Sequence, residues 1–206
     1  MNPIGIAASA VVLLGLAMTL RSTNGRLMIA GVALTLLALP LAAGGSPEPL
    51  VLAFRTVALL IAVFLLDHAI RRTTTLLGPM RLGGTAELGL IAAAFVLGAL
   101  LGAATPDPRI PAIPLGASVA LTAAAGSLLA FGTDTLRLGA GAMLLIAAGT
   151  AVLPALGGDV DAGVQLAFSV AELATAGAVA WLALTGAAIR HDLELADRPR
   201  DLRDSG

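Results

Sequence analysis

Seven apolar segments, each close to the length of a membrane-spanning helix, constrain what this chain can fold into. A helix needs about 20 apolar residues to cross the roughly 30 Å hydrocarbon core of a bilayer. Between the segments lie short runs rich in Gly, Pro, Asn and Asp, which are typical of turns. The predicted segments are residues 3–20, 27–43, 50–70, 86–104, 111–131, 138–156 and 162–188. We therefore predict an all-α, polytopic transmembrane bundle of seven helices.

The composition excludes most soluble classes of protein. Of the 206 residues, 58% are hydrophobic and 12% are charged, against about 45–50% and about 25% in soluble domains. So few polar residues cannot cover a soluble fold, which excludes soluble enzymes, nucleic-acid-binding modules and disordered scaffolds. The chain has no Cys, so a disulfide, a thiol nucleophile and a thiolate-ligated iron–sulfur cluster are excluded as well.

The arginines predict the orientation of the bundle, because cytoplasmic loops collect positive charge. Loops one, three and five and the tail hold ten arginines, whereas the opposite loops hold only Arg109. The ten are Arg21, Arg26, Arg71, Arg72, Arg81, Arg137, Arg190, Arg198, Arg200 and Arg203. We expect the N-terminus outside and a polar cytoplasmic tail, residues 189–206, after one transmembrane domain, residues 1–188. Because all 12 basic residues are Arg, we also expect a bacterial inner membrane.

Two charged residues are predicted to lie well inside the membrane. Glu172 lies about 15 Å into the seventh segment, near mid-bilayer, at a rise of about 1.5 Å per residue. There it must pair, stay protonated or face water, so it is either a proton-relay residue or the partner in a structural hydrogen bond. Arg55 lies about 7.5 Å into the third segment. Its side chain either snorkels to the surface or, if the third and seventh helices touch, becomes the charge partner of Glu172.

Other ionisable residues are predicted near helix ends. Asp67 and His68 precede the arginine pair that ends the third segment, where a solvated interfacial role is the simplest interpretation. The alternative is a cytoplasmic proton entry, because His titrates near neutrality. Glu87 opens the fourth segment, where a carboxylate suits the helix dipole without any function. A haem held by His68 and His191 is a weak alternative, and we expect no catalytic residue, no cofactor and no metal.

Small residues at helical spacing predict close contacts between helices. Gly98 and Gly102 have GxxxG spacing in the fourth segment, and Gly139 and Gly141 lie in the sixth. Such positions allow helix backbones to approach closely. The alternative is that Gly and Ala are simply frequent in this chain.

The order of these features resembles the hydrogenase-4 component E family. Two short helices are joined by an Arg-containing turn, and the third helix ends in DHAIRR, residues 67–72. A polar loop follows, and then a final three-helix unit, residues 111–188. That unit is similar to the small three-helix subunit of respiratory complex I and of multisubunit cation/proton antiporters. The segment FSVAELATAG, residues 168–177, resembles its last helix.

The resemblance implies a membrane-arm subunit of a proton- or cation-translocating oxidoreductase complex, with Glu172 as the proton-relay residue. It implies antiporter-like membrane subunits as partners, cytoplasmic redox subunits as indirect partners, and no redox centre in this chain. Residues 138–156 depart from the family pattern, because they hold no ionisable side chain where related subunits place a Glu. The alternatives are a stand-alone small-solute or lipid transporter and an assembly scaffold. With a net charge of -1, nucleic acid is not expected as a partner.

Overall fold

The described part of the chain is entirely helical in its regular structure. The computed structural model describes residues 3–42, 48–73, 84–105, 111–156, 158 and 160–196. Within these residues, seven helices are long and apolar enough to cross a membrane. They are α1 Pro3–Arg21, α2 Gly25–Ala42, α3 Pro49–Arg72, α4 Gly84–Ala104, α5 Ala112–Phe131, α6 Thr135–Ala155 and α7 Ala162–Ala196. The predicted all-α, multi-pass architecture is confirmed.

Several helix boundaries differ from the prediction by one or two residues, and two larger differences change the placement of charged residues. The sixth helix begins at Thr135 rather than at residue 138, because the Asp134 side chain caps it and accepts a 2.8 Å hydrogen bond from the Arg137 amide. Residues 138–156 hold no ionisable side chain, but the helix also includes Arg137 in its first turn. The seventh helix continues to Ala196, so the residues predicted as a polar tail begin inside a helix.

The first two helices pack closely through a pair of Gly–Thr motifs. The hydroxyl of Thr19 donates to the Gly15 carbonyl and that of Thr35 donates to the Gly31 carbonyl, at 2.8 and 2.9 Å. A Cβ atom added at Gly15 would lie 2.7 Å from the Gly31 carbonyl oxygen, and one at Gly31 would lie 2.6 Å from the Gly15 carbonyl oxygen. Backbone therefore meets backbone at this crossing, which only glycine permits.

The glycines singled out in the sequence lie at helix contacts. Gly98 of α4 approaches the Cα of Gly116 on α5, and Gly102 approaches the Cα of Ala112, one turn further along each helix. On α6, Gly139 lies against Val179 of α7, while Gly141 lies against α5. The predicted close contacts are confirmed. They place α5 at the centre of the bundle, between α1, α4 and α6.

One end of the bundle is rich in arginine. Arg137 donates from Nη2 to the Ser22 carbonyl oxygen, at 3.2 Å, and Arg26 forms an ion pair with Asp67 at 3.4 Å. These contacts join the start of α6, the α1–α2 turn and the end of α3, where Arg21, Arg71 and Arg72 also lie. Several arginines used to predict orientation lie outside the described residues or side chains, namely Arg81, Arg109, Arg190, Arg198, Arg200 and Arg203.

Candidate functional site

Helices α3 and α7 pack along each other and run in the same direction, toward the arginine-rich end. Each presents a buried stripe at helical spacing. On α3 the stripe includes Val51, Arg55, Ala58, Ala62, Leu66 and Ala69. On α7 it includes Ser169, Glu172, Ala176, Val179 and Ala180. The two charged side chains thus lie on the faces that bring the helices together.

Arg55 and Glu172 form an ion pair inside the bundle. The closest atoms, Arg55 Nη2 and Glu172 Oε1, are 3.7 Å apart, and the two side chains are only 10% and 7% exposed. Arg55 lies about 9 Å from the start of α3, and Glu172 lies about 15 Å from the start of α7. The long arginine side chain bridges this difference in depth. The sequence left open whether these residues pair, and the structure places them together.

The pair is held by charge rather than by a hydrogen bond. Arg55 Nε, Arg55 Nη2 and Glu172 Oε1 are buried and have no hydrogen-bond partner among the described residues. Buried ions that lack hydrogen bonds keep much of their desolvation cost, about several kcal/mol per ion. Structural ion pairs are usually satisfied more fully than this. The arrangement leaves atoms of both groups free to hydrogen-bond a water molecule, and only the carboxylate has the chemistry to take up a proton.

Hydroxyl groups near the pair along the same helices are already engaged. Ser169 donates to the Gln165 carbonyl at 3.0 Å, and Thr175 donates to the Ala171 carbonyl at 2.8 Å. On α3, Thr56 donates to the Leu52 carbonyl at 2.8 Å. Each of these bonds lies within its own helix, so none of the three hydroxyls donates its proton to Glu172. Arg55 is the charged group that faces the carboxylate.

A small cavity lies beside Arg55, between α2 and α3. Its volume is about 10 Å³, room for about one water molecule. Leu36 and Pro40 of α2 line it together with Arg55 and Thr56. Pro40 has no N–H group, so the Leu36 carbonyl lacks its usual helical donor. The cavity therefore lies beside guanidinium nitrogens without a hydrogen-bond partner among the described residues and a carbonyl without its helical donor. One water molecule in this space would suit both groups.

Asp67 and His68 lie at the arginine-rich end and are not brought to the ion pair. Asp67 accepts a 2.6 Å hydrogen bond from Arg71 Nε and lies 3.4 Å from Arg26 Nε. His68 is exposed, and its ring stacks on Phe64 with centroids 6.2 Å apart. Twelve residues of helix, about 18 Å, separate Asp67 from Arg55. Their predicted part in proton entry remains a prediction.

The described residues offer no cluster that would hold a metal. Within them, no group of three or more His, Cys, Asp or Glu side chains converges. His68 is described, whereas the side chain of His191 lies outside the described part of the chain. The haem alternative thus has one described ligand candidate, an exposed histidine on α3.

A second pair of buried charges was missed in the sequence. Glu87 and Arg137 are 1% and 2% exposed, although both lie in the first turn of a helix. The sequence indicated a helix-end position for Glu87 and a loop position for Arg137. The capping residue Asp134 was the available signal for Arg137, because it moves the start of α6 to include the arginine. No comparable local signal exists for Glu87.

Comparison with known protein families, with curated proteins and with solved structures found no match to this chain.

Proposed function

We propose that this chain is a membrane-arm subunit of a proton- or cation-translocating oxidoreductase complex of the hydrogenase-4 and complex I type. Glu172 is its protonatable group and Arg55 modulates it. The observation that carries the proposal is the buried, incompletely hydrogen-bonded pair at 3.7 Å. Ionisable residues inside membrane helices are rare and are commonly found in ion pathways and proton relays.

The chemistry of the pair suits a switch in charge. With Glu172 ionised, the carboxylate and the Arg55 guanidinium balance each other. When Glu172 takes up a proton, the guanidinium is left with an uncompensated positive charge in a low-dielectric site. A change of charge in a neighbouring subunit therefore shifts the occupancy of Glu172, and release of the proton restores the pair. Such coupling requires no redox centre in this chain.

The size of the adjoining cavity favours a proton or a water-borne ion over an organic solute. The space beside Arg55 is about 10 Å³, whereas pockets for small organic ligands are about 300–1,000 Å³. A water molecule in this space would place a proton carrier next to the guanidinium. This observation argues against the transporter alternative at this site.

The proposal includes an orientation, a location and partners. The N-terminus faces outward and the arginine-rich end faces the cytoplasm of a bacterial inner membrane, in accordance with the positive-inside rule. Asp67 and His68 then lie at the cytoplasmic surface as the proton entry. Antiporter-like membrane subunits cover part of the bundle, lipid covers the rest, and cytoplasmic redox subunits act through these neighbours.

Purification of the tagged full-length chain from its native membranes in mild detergent tests this assignment. We expect polytopic ion-translocating subunits and redox subunits to co-purify in fixed ratio, as identified by mass spectrometry. The preparation should also drive proton uptake into liposomes when an electron donor and an acceptor are supplied. A chain that purifies alone and moves a small solute or a lipid in liposomes would contradict the proposal and favour the transporter.

A further inference from the structure

A second cluster of buried polar atoms lies at the arginine-rich end of the bundle, away from Glu172. Four of its atoms are Glu87 Oε1, Arg137 Nε, Arg137 Nη1 and Asp134 Oδ2, all buried and without a hydrogen-bond partner among the described residues. Arg137 Nε lies 3.3 Å from Asp134 Oδ2 in an ion pair. Arg137 also acts electrostatically on Glu87. The proposed relay at Glu172 uses none of these three side chains.

The helix register adds Ser127 to this cluster. Close contacts pair Gly102 with Ala112 and Gly98 with Gly116, so α4 and α5 run antiparallel in a constant register. Glu87 lies eleven residues before Gly98 on α4, and Ser127 lies eleven residues after Gly116 on α5. Eleven residues make about three helical turns, so both positions lie on the same helix faces as these glycines. Ser127 is 4% exposed, and its Oγ also has no hydrogen-bond partner among the described residues. The register thus puts two positions with unsatisfied side-chain oxygens level with each other on α4 and α5.

Among the described residues, the cluster has one negative charge more than it has positive charges. Arg137 is balanced by Asp134, with which it forms the ion pair. Glu87 is 1% exposed and forms no ion pair with any described residue. On α5, the residue level with Glu87 is the neutral Ser127. Helix α1 also packs on α4, but the side chain of its last residue, Arg21, is exposed. A buried carboxylate with no counter-ion of its own is costly, and a bound proton removes that cost.

We propose that Glu87 and Ser127 form a second proton-binding site, flanked by the Arg137–Asp134 pair. Glu87 takes up one proton on its carboxylate, which makes the cluster electrically neutral. The protonated carboxyl donates a hydrogen bond to the Ser127 hydroxyl, which gives both buried oxygens a partner. Loss of the proton leaves an excess negative charge, and the guanidinium of Arg137 is the nearest compensation.

The second site lies at a different depth from the first. Gly139 on α6 is level with Val179 on α7, and Gly149 is level with Phe168. This antiparallel register places Arg137 about nine residues, or about 13 Å, from Glu172 along the axis. Where the proposed function holds, the two carboxylates are therefore successive stations along one bundle. Proton binding by Glu87 does not itself require that function.

Infrared spectroscopy of the purified full-length chain in lipid nanodiscs tests the site directly. A protonated carboxyl group has a C=O stretching band that is distinct from the bands of a carboxylate. We expect the Glu87→Gln variant to lose one such band that remains in the wild type and in the Glu48→Gln control. Glu48 is an exposed residue that precedes α3 and makes no side-chain cap. A carboxyl region identical in wild type and Glu87→Gln would overturn the proposal.

Two further variants keep the test decisive. The Ser127→Ala variant should keep the Glu87 band but shift its frequency, because a hydrogen-bond partner is removed; an unshifted band would overturn the part assigned to Ser127. The Glu172→Gln variant should leave the Glu87 band in place. If proton translocation does not depend on Glu172, the proposed function fails, while the Glu87 band still reports on this second site alone.

Discussion

Arg55 on α3 and Glu172 on α7 are each more than nine-tenths buried, yet their closest charged atoms are 3.7 Å apart and share no hydrogen bond. A pair built only for stability would gain from shorter, bidentate contacts. The observed geometry retains the attraction between the charges and leaves Glu172 Oε1 without a hydrogen-bond partner among the described residues. This combination is the basis of the proposal that Glu172 binds and releases a proton.

Removing one charge of this pair should destabilise the protein more than removing both. Arg55→Leu or Glu172→Leu leaves a single buried ion, which costs about 3–5 kcal/mol of unfolding free energy. The double variant removes both ions and should recover most of that loss. Denaturant unfolding in detergent, arranged as a double-mutant cycle, measures the coupling. Additive losses would mean that the pair contributes no mutual stabilisation.

The sequence predicted the depth of Arg55 and Glu172, because depth follows from counting residues along a helix. It could not predict their pairing, which depends on α3 packing beside α7 across more than a hundred residues of chain. The burial of Glu87 was not predicted either, because no local pattern at the start of α4 indicates it. Helix type and number follow from local hydrophobicity, whereas buried polar contacts follow from which helices are neighbours.

The Gly15–Gly31 crossing should not tolerate a methyl group. In Gly15→Ala, the new Cβ would lie 2.7 Å from the Gly31 carbonyl oxygen and 2.9 Å from the Thr35 amide nitrogen. The helices must separate, which we expect to cost about 1–3 kcal/mol. Gly126→Ala is the matched control, since nothing lies within 4 Å of a Cβ there. Thermal unfolding should show a lower Tm for Gly15→Ala alone, and equal Tm values would contradict the packing described.

Arg137 should hold the α1–α2 turn against the start of α6. Its Nη2 donates to the Ser22 carbonyl oxygen at 3.2 Å, and a buried hydrogen bond from a charged group is worth about 1.5–3 kcal/mol. In Arg137→Gln, we expect amide hydrogen exchange around Ser22 and Asn24 to become about tenfold faster or more. Arg72→Gln, which changes an exposed arginine at the end of α3, should leave these amides unaffected. Unchanged exchange in Arg137→Gln would rule out the anchor.

The proposed orientation can be read from two engineered cysteines, because the natural chain contains none. Thr23→Cys lies in the turn at the arginine-rich end, and Leu156→Cys lies at the opposite end, directly after α6. Both positions are exposed. In intact cells, a membrane-impermeant maleimide should label Leu156→Cys and spare Thr23→Cys, and inverted vesicles should give the reverse. The opposite labelling pattern would show that the N-terminus faces the cytoplasm and would contradict the proposed orientation.

Proton translocation by the Glu172→Gln variant bears most directly on the proposed role of the ion pair. Gln keeps the size of the side chain but cannot exchange a proton. In vesicles that contain the assembled complex, protons moved per electron transferred should fall to background for Glu172→Gln. Wild type and the exposed-residue control Glu48→Gln should remain equal, with unchanged complex assembly in all three. Wild-type translocation by an assembled Glu172→Gln complex would contradict the assignment of Glu172 as the relay residue.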